Sequence, residues 1–315
     1  MNDTKALLEQ FFKKDKRALA RIITLVENQV PACCEILDAL YPNTGHALRI
    51  GITGPPGAGK STLVDQLAKH FRQQNKTVGI IAVDPTSPFT GGALLGDRVR
   101  MCDLSGDEGV FIRSMATRGS LGGLSQRTQQ VADVLDAYGK DIVMMETVGV
   151  GQSELDIVET ADTTVVVLVP ESGDSIQAMK AGLMEIADIF VVNKSDREGA
   201  DRTLLEIQSI LTLKEQNQEW KIPVCKTIAS ENQGTSELAG HIEMHTRFLD
   251  EHNLFVTKRI RRLRKVVTDM VAIKLQQLFW THDKRKMMDQ MEDALFKGTF
   301  SPYQATQRLF ADFLT

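Results

Sequence analysis

The sequence predicts an α/β protein: a doubly wound, mostly parallel sheet with helical extensions at both ends of the chain. Short apolar runs alternate with longer amphipathic stretches through the middle of the sequence, which is the pattern of repeated βα units. Several of these runs are apolar on both faces, as buried parallel strands are. A glycine-rich turn directly follows the first run. The predicted strands are residues 48–52, 78–83, 110–115, 142–146, 164–169, 189–193 and 224–228.

Helical segments flank this central region. Residues 1–47 repeat apolar side chains at helical spacing. The carboxyl-terminal part shows no strand pattern but a long amphipathic helix, then a break at Gly298 and a last short helix that starts at Ser301 and Pro302. We therefore expect a helical extension at 1–47, an α/β domain at 48–235 and a helical arm at 236–315.

Composition argues against several classes of protein. The 315 residues carry a net charge of −4, so the broad basic field typical of nucleic-acid binding is absent. No stretch approaches the roughly 18 apolar residues that a membrane helix requires. The four cysteines form no C-x-x-C pair, and the amino terminus lacks the apolar run of a signal peptide. We expect a cytoplasmic protein whose partners are neither nucleic acid nor a membrane.

The strongest motif is a phosphate-binding loop that matches G-x-x-x-x-G-K-[ST] in full. An apolar strand precedes it and a helical pattern follows, as this motif requires. The glycines let backbone N–H groups face phosphate oxygens, and the helix start adds its positive dipole. Lys60 is expected to reach the β- and γ-phosphates, and Ser61 to ligate Mg²⁺. The predicted binding residues are Gly54, Pro55, Pro56, Gly57, Ala58, Gly59, Lys60, Ser61 and Thr62.

A second motif, N-K-x-D, predicts that the bound base is guanine. Asn193, Lys194 and Asp196 follow an apolar strand about 130 residues after the phosphate loop. The Asp196 carboxylate can accept hydrogen bonds from guanine N1–H and from its amino group, a donor pair that adenine lacks. Ala229 and Ser230, after the next strand, resemble the loop whose backbone contacts the guanine oxygen. The predicted ligands are therefore GTP and GDP.

Carboxylates at the ends of predicted strands indicate the magnesium site. Mg²⁺ prefers oxygen ligands. Glu146 stands where a D-x-x-G motif usually supplies aspartate, and the Gly149 amide is placed to sense a γ-phosphate. Asp84 ends another strand, and Asp97 lies in a segment where a switch is expected. Because strand ends meet at one edge of a parallel sheet, we expect Ser61 and these three carboxylates to hold Mg²⁺.

The residue that orients the attacking water is left open by the sequence. Gln152 and Glu154 both follow the turn after Glu146, and either side chain can position a water molecule. Together with Lys60 they form the predicted catalytic group.

Two histidines form a weaker pattern. His241 and His245 have the i, i+4 spacing of helical metal ligands, but no third ligand is evident. We interpret them as residues of a surface helix.

Six segments together resemble the MeaB/ArgK family of GTPases. The resemblance spans about residues 40 to 310. Its motifs are the phosphate loop, AVDPTSP, TGGALLGDR, SMATRG, ETVGVGQSE and NKSD, which begin at residues 54, 82, 90, 114, 146 and 193.

The resemblance implies a function and a set of partners. Family members act as chaperones of adenosylcobalamin-dependent acyl-CoA mutases, chiefly methylmalonyl-CoA mutase: they gate cofactor delivery and protect the enzyme. They are typically homodimers joined through a carboxyl-terminal helical arm. The family's nucleotide and Mg²⁺ residues correspond to Lys60, Ser61, Asp84, Asp97, Glu146, Asn193 and Asp196 in this chain. Residues 171–180 resemble its third switch, which signals to the mutase.

Two other functions are compatible with a phosphate loop. One is a P-loop small-molecule kinase or ATPase linked to amino-acid transport, an older interpretation of the family. The N-K-x-D motif favours GTP over the ATP that such a kinase would use. The other is a metallochaperone GTPase, which would be expected to carry a tract rich in histidine or cysteine.

Overall fold

The fold is given by a computed structural model that describes residues 2–84, 104, 106–116, 123–147, 159–170, 183–214 and 219–311. Seven strands are formed: β1 Leu48–Thr53, β2 Val78–Asp84, β3 Val110–Ala116, β4 Ile142–Glu146, β5 Thr163–Leu168, β6 Ile189–Asn193 and β7 Val224–Thr227.

All seven strands belong to one sheet, in the order β3-β2-β4-β1-β5-β6-β7. Every neighbouring pair is parallel. The predicted fold class is confirmed, and each strand lies within one residue of its predicted limits. The chain moves outward from β1 on one side and later crosses back to β5 on its other side. This reversal makes the carboxyl end of β1 the switch point at which α/β proteins bind ligands.

Helices cover both faces of the sheet and continue beyond it. The described helices are α1 Asn2–Phe12, α2 Lys16–Glu27, α3 Cys33–Leu40, α4 Lys60–Gln73, α5 Gly123–Ala137, α6 Leu183–Ile186, α7 Ala200–Lys214, α8 Thr235–Glu251, α9 Leu254–Phe279, α10 His282–Phe296 and α11 Pro302–Phe310. In the described part of the chain, no helix is both long enough and apolar enough to cross a membrane.

Alternate residues of the central strands pack on opposite faces, as the two-residue period of a strand requires. Ile80 of β2 and Met144 of β4 lie in the core that includes α4 and α8. Their neighbours Ile81 and Met145 lie in the core that includes α1, α2, α3 and α5. Burial on both sides explains why these strands read as continuous apolar runs.

The amino-terminal extension is helical, and its apolar face is buried. Phe11, Leu19 and Ile22 are fully inaccessible to solvent and share a core with α5 and the sheet. The Asp15 side chain caps α2 by accepting a hydrogen bond from the Ala18 N–H at 2.7 Å. These helices therefore form one layer of the α/β unit.

The chain divides into two compact units between Phe255 and Val256. The first unit extends beyond residue 235, where the last strand had suggested a boundary, because α8 buries Leu238 and Ile242 in the core beneath the sheet. The second unit is helical.

The second unit has a small core of its own, which includes Phe279, Met291 and Leu309. Ser301 caps α11, and its backbone N–H donates to the Gln304 side chain at 2.9 Å. Pro302 occupies the first turn, so this helix begins where the sequence predicts.

Candidate functional site

The phosphate loop lies between β1 and α4 and depends on two of its glycines. Gly54 has φ of +135°, and a Cβ there would lie 2.0 Å from the Val167 carbonyl oxygen. Gly59 has φ of +87°, and a Cβ there would lie 2.3 Å from Asn193 Nδ2. Both positions thus combine a left-handed backbone with a close neighbour, which only glycine tolerates. The loop is thereby pressed against β5 on one side and the end of β6 on the other.

Lys60 begins α4 and folds back over the loop. Its Nζ donates hydrogen bonds to the carbonyl oxygens of Gly54 at 2.8 Å and Pro55 at 3.0 Å. The residue is only 5% exposed. A buried ammonium group held over a glycine-rich loop is suited to phosphate oxygens.

Two of the predicted magnesium ligands are in direct contact. The Ser61 hydroxyl donates to Glu146 Oε1 at 2.7 Å, and both residues are buried. Glu146 ends β4, where it pairs in register with Ile52 of β1 and Ala82 of β2. The central position of β4 therefore brings a carboxylate to the first turn of α4. Paired hard oxygen donors beside a phosphate loop fit Mg²⁺.

A buried hydroxyl pair joins the two strands at this edge. Thr147 Oγ1 donates to Thr53 Oγ1 at 3.0 Å, and the Thr147 N–H donates to the Ile52 carbonyl at 3.1 Å. Thr53 precedes the first glycine of the phosphate loop, and Thr147 follows Glu146. Neither threonine was among the predicted site residues, although Thr147 lies inside the ETVG motif.

Asn193, at the end of β6, links the phosphate loop to the two loops predicted to bind guanine. These two base loops contain Lys194 to Asp196 and Ala229 with Ser230. Its Nδ2 donates to the Ala58 carbonyl at 2.7 Å. Its Oδ1 accepts from Thr227 Oγ1 at 3.0 Å and from the Ala229 N–H at 3.1 Å. One buried amide therefore uses both of its polar ends to fix three segments relative to one another.

The base loop itself is held by backbone contacts. The Ser195 N–H donates to the Thr227 carbonyl at 3.1 Å, and Lys194 takes a left-handed conformation with φ of +55°. Asp196 and Ser230 are exposed, whereas Ala229 is buried. The Asp196 carboxylate is thus accessible to a ligand, while the backbone of the loop that carries it is fixed by the bond from Ser195 to Thr227. Thr227, which donates a hydrogen bond to Asn193, lies two residues before Ala229 and was not among the predicted site residues.

The structure brings one part of the predicted site together. Lys60, Ser61 and Glu146 lie at the carboxyl edge of the central strands. Asn193 links the phosphate loop to Ala229, and Asp196 follows Asn193 by three residues. Asp84 ends β2, where its backbone pairs with Ala116; its side chain lies outside the description. The remaining predicted residues, Asp97, Gly149, Gln152 and Glu154, and the third-switch segment at 171–180, lie outside the described residues.

The interpretation of the two α8 histidines as surface residues is wrong for His245. His245 is 2% exposed, with Nδ1 2.8 Å from Thr163 Oγ1 and Nε2 3.3 Å from Asp188 Oδ1. These contacts attach α8 to β5 and to the turn before β6. His241 is partly exposed and faces Glu237 at 3.6 Å. Among the described residues, no group of three or more His, Cys, Asp or Glu side chains is arranged to hold a metal ion.

Comparison with known proteins confirms the family resemblance. Residues 19–284 match the family described as methylmalonyl-CoA mutase-associated GTPase MeaB. A Pyrococcus horikoshii protein named as a GTPase is 55% identical over 269 residues, which are 84% of this chain and 85% of that protein. GTPase ArgK of Escherichia coli is 35% identical over 309 residues, 94% and 92% of the two chains.

A solved structure described as a LAO/AO transport system kinase has the same fold. It superimposes with a TM-score of 0.76 and 28% identity, and the match covers 99% of this chain and 98% of that one. The chain therefore belongs to the MeaB family and is a guanine-nucleotide-binding GTPase.

Proposed function

We propose that this GTPase binds GTP and GDP with Mg²⁺ and acts as a chaperone of an adenosylcobalamin-dependent acyl-CoA mutase, such as methylmalonyl-CoA mutase. In this role it gates delivery of the cofactor and protects the mutase. The observation that carries the nucleotide part is the Asn193 amide, which joins the phosphate loop to both base loops. The partner is supported by the family description as mutase-associated.

Each residue of the site has a proposed role. The phosphate loop and Lys60 bind the β- and γ-phosphates, while Asp196, the backbone of Ala229 and Ser230 contact guanine. Ser61 and Glu146, which are in contact at 2.7 Å, would hold Mg²⁺ together with Asp84 and Asp97. When bound, the metal neutralises phosphate charge that develops during hydrolysis.

The remaining roles concern water and the γ-phosphate. The Gly149 amide is proposed to bind the γ-phosphate, and Gln152 or Glu154 to orient the attacking water. Loss of the γ-phosphate then releases the segment that carries these residues. Such reordering is how GTPases signal to partners.

Replacing Glu146 by glutamine is expected to raise the Mg²⁺ concentration for half-maximal GTPase activity by about 10- to 100-fold. Glutamine keeps the shape of the side chain and still accepts the Ser61 hydrogen bond, so only the charge is lost. The measurement is a magnesium titration at saturating GTP. Glu185→Gln, an exposed carboxylate on α6, is the matched control. A Glu146→Gln variant with the wild-type magnesium requirement would contradict this assignment.

The partner proposal is tested by measuring GTP hydrolysis with and without each adenosylcobalamin-dependent acyl-CoA mutase of the same organism. We expect one mutase to accelerate turnover and to co-purify in one nucleotide state in preference to the other. A client that prefers one state must shift nucleotide affinity by the same factor, typically about 5- to 150-fold. If no mutase alters the rate or binds in any nucleotide state, the chaperone function fails and the GTPase alone remains.

The third-switch segment supplies variants for this test. We expect Asp174→Ala and Lys180→Ala to abolish stimulation by the mutase while basal turnover is retained. Glu198→Ala and Lys221→Ala, which change exposed charges of the described surface, are the controls. Equal loss of stimulation in all four variants would argue against a specific role for the segment.

Homodimer formation through the helical arm is also proposed. Apolar side chains recur along α9 at spacings of three or four residues and are 41–60% exposed: Val256, Ile260, Leu263, Val267, Val271, Leu275 and Leu278. A stripe of this kind is usually covered by another helix. We expect a dimer by light scattering at micromolar concentration, and a monomer after Leu263→Lys with Val267→Lys. The exposed polar change Lys274→Gln should leave the dimer intact. A monomeric wild-type chain would refute the proposal.

A further inference from the structure

A cavity of about 700 Å³ lies at the edge of the sheet opposite to the proposed nucleotide site. Leu48 and Ile142, the first residues of β1 and β4, line it, together with Phe71 near the end of α4 and Ala137 at the end of α5. The nucleotide residues follow the carboxyl ends of the same strands. Helix α4, with 14 residues, separates the two edges by about 20 Å, at 1.5 Å per residue. The cavity is therefore a separate site with an apolar floor.

The acidic side chains of the cavity wall already have donors within the protein. Asp136 accepts hydrogen bonds from three backbone N–H groups, those of Gly45, His46 and Ala47, at 2.8–3.1 Å. Arg49 Nη2 lies 3.4 Å from the same carboxylate and balances its charge.

The other two carboxylates are similarly engaged. Asp141 accepts from the Thr77 N–H at 2.7 Å and from the Thr77 hydroxyl at 2.8 Å. Glu243 accepts from Gln74 Nε2 at 3.1 Å. Asp141 also interacts electrostatically with Lys76 and Lys140, and these contacts together anchor the acids to the wall of the cavity.

Two of the three basic side chains of the wall are not held by hydrogen bonds in this way. Lys76 and Arg247 are exposed, and neither side chain forms a hydrogen bond or ion pair with a residue of the described ranges. Lys140 is buried, and its Nζ donates to the Gly109 carbonyl at 2.7 Å. Burial, with the nearby charges of Lys16 and Arg72, lowers the pKa of Lys140 to about 8. The wall thus carries three basic and three acidic side chains, and the ones whose polar groups remain available to a ligand are Lys76 and Arg247.

We propose that the cavity binds a small organic anion, whose charged group is held by Lys76 and Arg247 and whose apolar part rests on Leu48, Phe71 and Ile142. An apolar floor with a few charged groups at its rim is typical of small-molecule sites. A phosphate, sulfonate or carboxylate group would satisfy the two cations, and charge-assisted hydrogen bonds of this kind are strong. The proposal does not depend on the chaperone function.

The test uses a pair of fluorescent probes that differ in charge. 1-Anilinonaphthalene-8-sulfonate carries an anion on aromatic rings, and N-phenyl-1-naphthylamine has the same rings without it. Both are titrated into the full chain saturated with GDP. We expect the sulfonate probe to bind and the neutral probe to bind at least about tenfold more weakly, since two charge-assisted contacts are missing. The affinity of the sulfonate probe for the chain without added nucleotide should be the same, so that GDP does not displace the probe.

Variants locate the binding. The double variant Lys76→Glu, Arg247→Glu should weaken binding of the sulfonate probe by about tenfold or more. The control Lys5→Glu, Lys221→Glu makes an equal change of net charge at exposed positions and should leave the affinity unchanged. Thr246→Phe, which adds a ring to the cavity wall, should prevent binding of the probe. Melting temperatures verify that each variant is folded.

The exposed stripe on α9 can also attract such probes, so the Leu263→Lys, Val267→Lys variant is included. Three results would overturn the proposal: absence of sulfonate binding, displacement of the probe by GDP, or a signal that the α9 variant removes and the Lys76→Glu, Arg247→Glu variant retains. The proposal is supported if the sulfonate probe still binds to the Leu263→Lys, Val267→Lys variant and no longer binds to the Lys76→Glu, Arg247→Glu variant.

Discussion

Replacing Lys60 by alanine is expected to lower the rate of GTP hydrolysis by a factor of about 10³ or more. The Lys60 ammonium group lies over the phosphate loop, held by the carbonyl oxygens of Gly54 and Pro55 at 2.8 and 3.0 Å. In the proposed complex it is the cation on the β,γ-bridging oxygen, where charge grows as the bond to the γ-phosphate breaks. The measurement is phosphate release under single-turnover conditions.

The control for this prediction is Lys69→Ala. Lys69 lies further along the same helix and pairs with Asp65 across one turn at 2.8 Å. Its removal should change the melting temperature slightly and the turnover rate little, because partly exposed ion pairs contribute at most about 1 kcal/mol. If Lys60→Ala releases phosphate at the wild-type rate, the phosphate-loop assignment is wrong.

Replacing Asp196 by asparagine is expected to weaken GTP and GDP binding by about 2–4 kcal/mol, or about 30- to 700-fold. The change keeps the size of the side chain but removes the charge that accepts both guanine donors. The new amide can instead donate to the extra carbonyl of xanthine, so xanthosine nucleotides should bind better to the variant than to the wild type. Titration calorimetry with GDP and xanthosine diphosphate measures both effects.

Glu198→Gln provides the matched control, since Glu198 is also exposed and lies two residues away. The same loss of charge there should leave both affinities unchanged. Because Asp196 is at the surface, its substitution should not alter the stability of the fold. Unchanged GDP affinity in Asp196→Asn would remove the argument for guanine recognition.

Features that depend on residues close together in the sequence could be predicted, whereas features that depend on residues far apart could not. The strands are local features: each is a short, largely apolar run, so its limits could be predicted within one residue. The phosphate loop could be predicted equally well, because Gly54 and Gly59 meet conformational requirements that arise within one short segment. The start of α11 at Ser301 and Pro302 follows from capping, which involves neighbouring residues only.

Contacts between distant parts of the chain were beyond such reasoning. Asn193 was predicted as a base-loop residue, yet its bonds to Ala58 and Ala229 span 135 and 36 residues. His245 was misjudged because its partners, Thr163 and Asp188, belong to another layer of the fold. The spacing of residues along a helix shows which side chains share one face, but it does not identify the part of the protein that packs on that face.

The α/β class, the phosphate loop and the guanine motif could be read from the amino-acid sequence, since each depends on backbone preferences and side-chain chemistry within a short segment. Which strand ends lie side by side depends on the tertiary structure. It placed β4 between β1 and β2, so that the Glu146 carboxylate reaches the Ser61 hydroxyl. It also created the cavity at the opposite edge, which Lys76 and Arg247 line from segments about 170 residues apart. The physical reason is that strand order is set by packing across the whole sheet, which no local segment specifies.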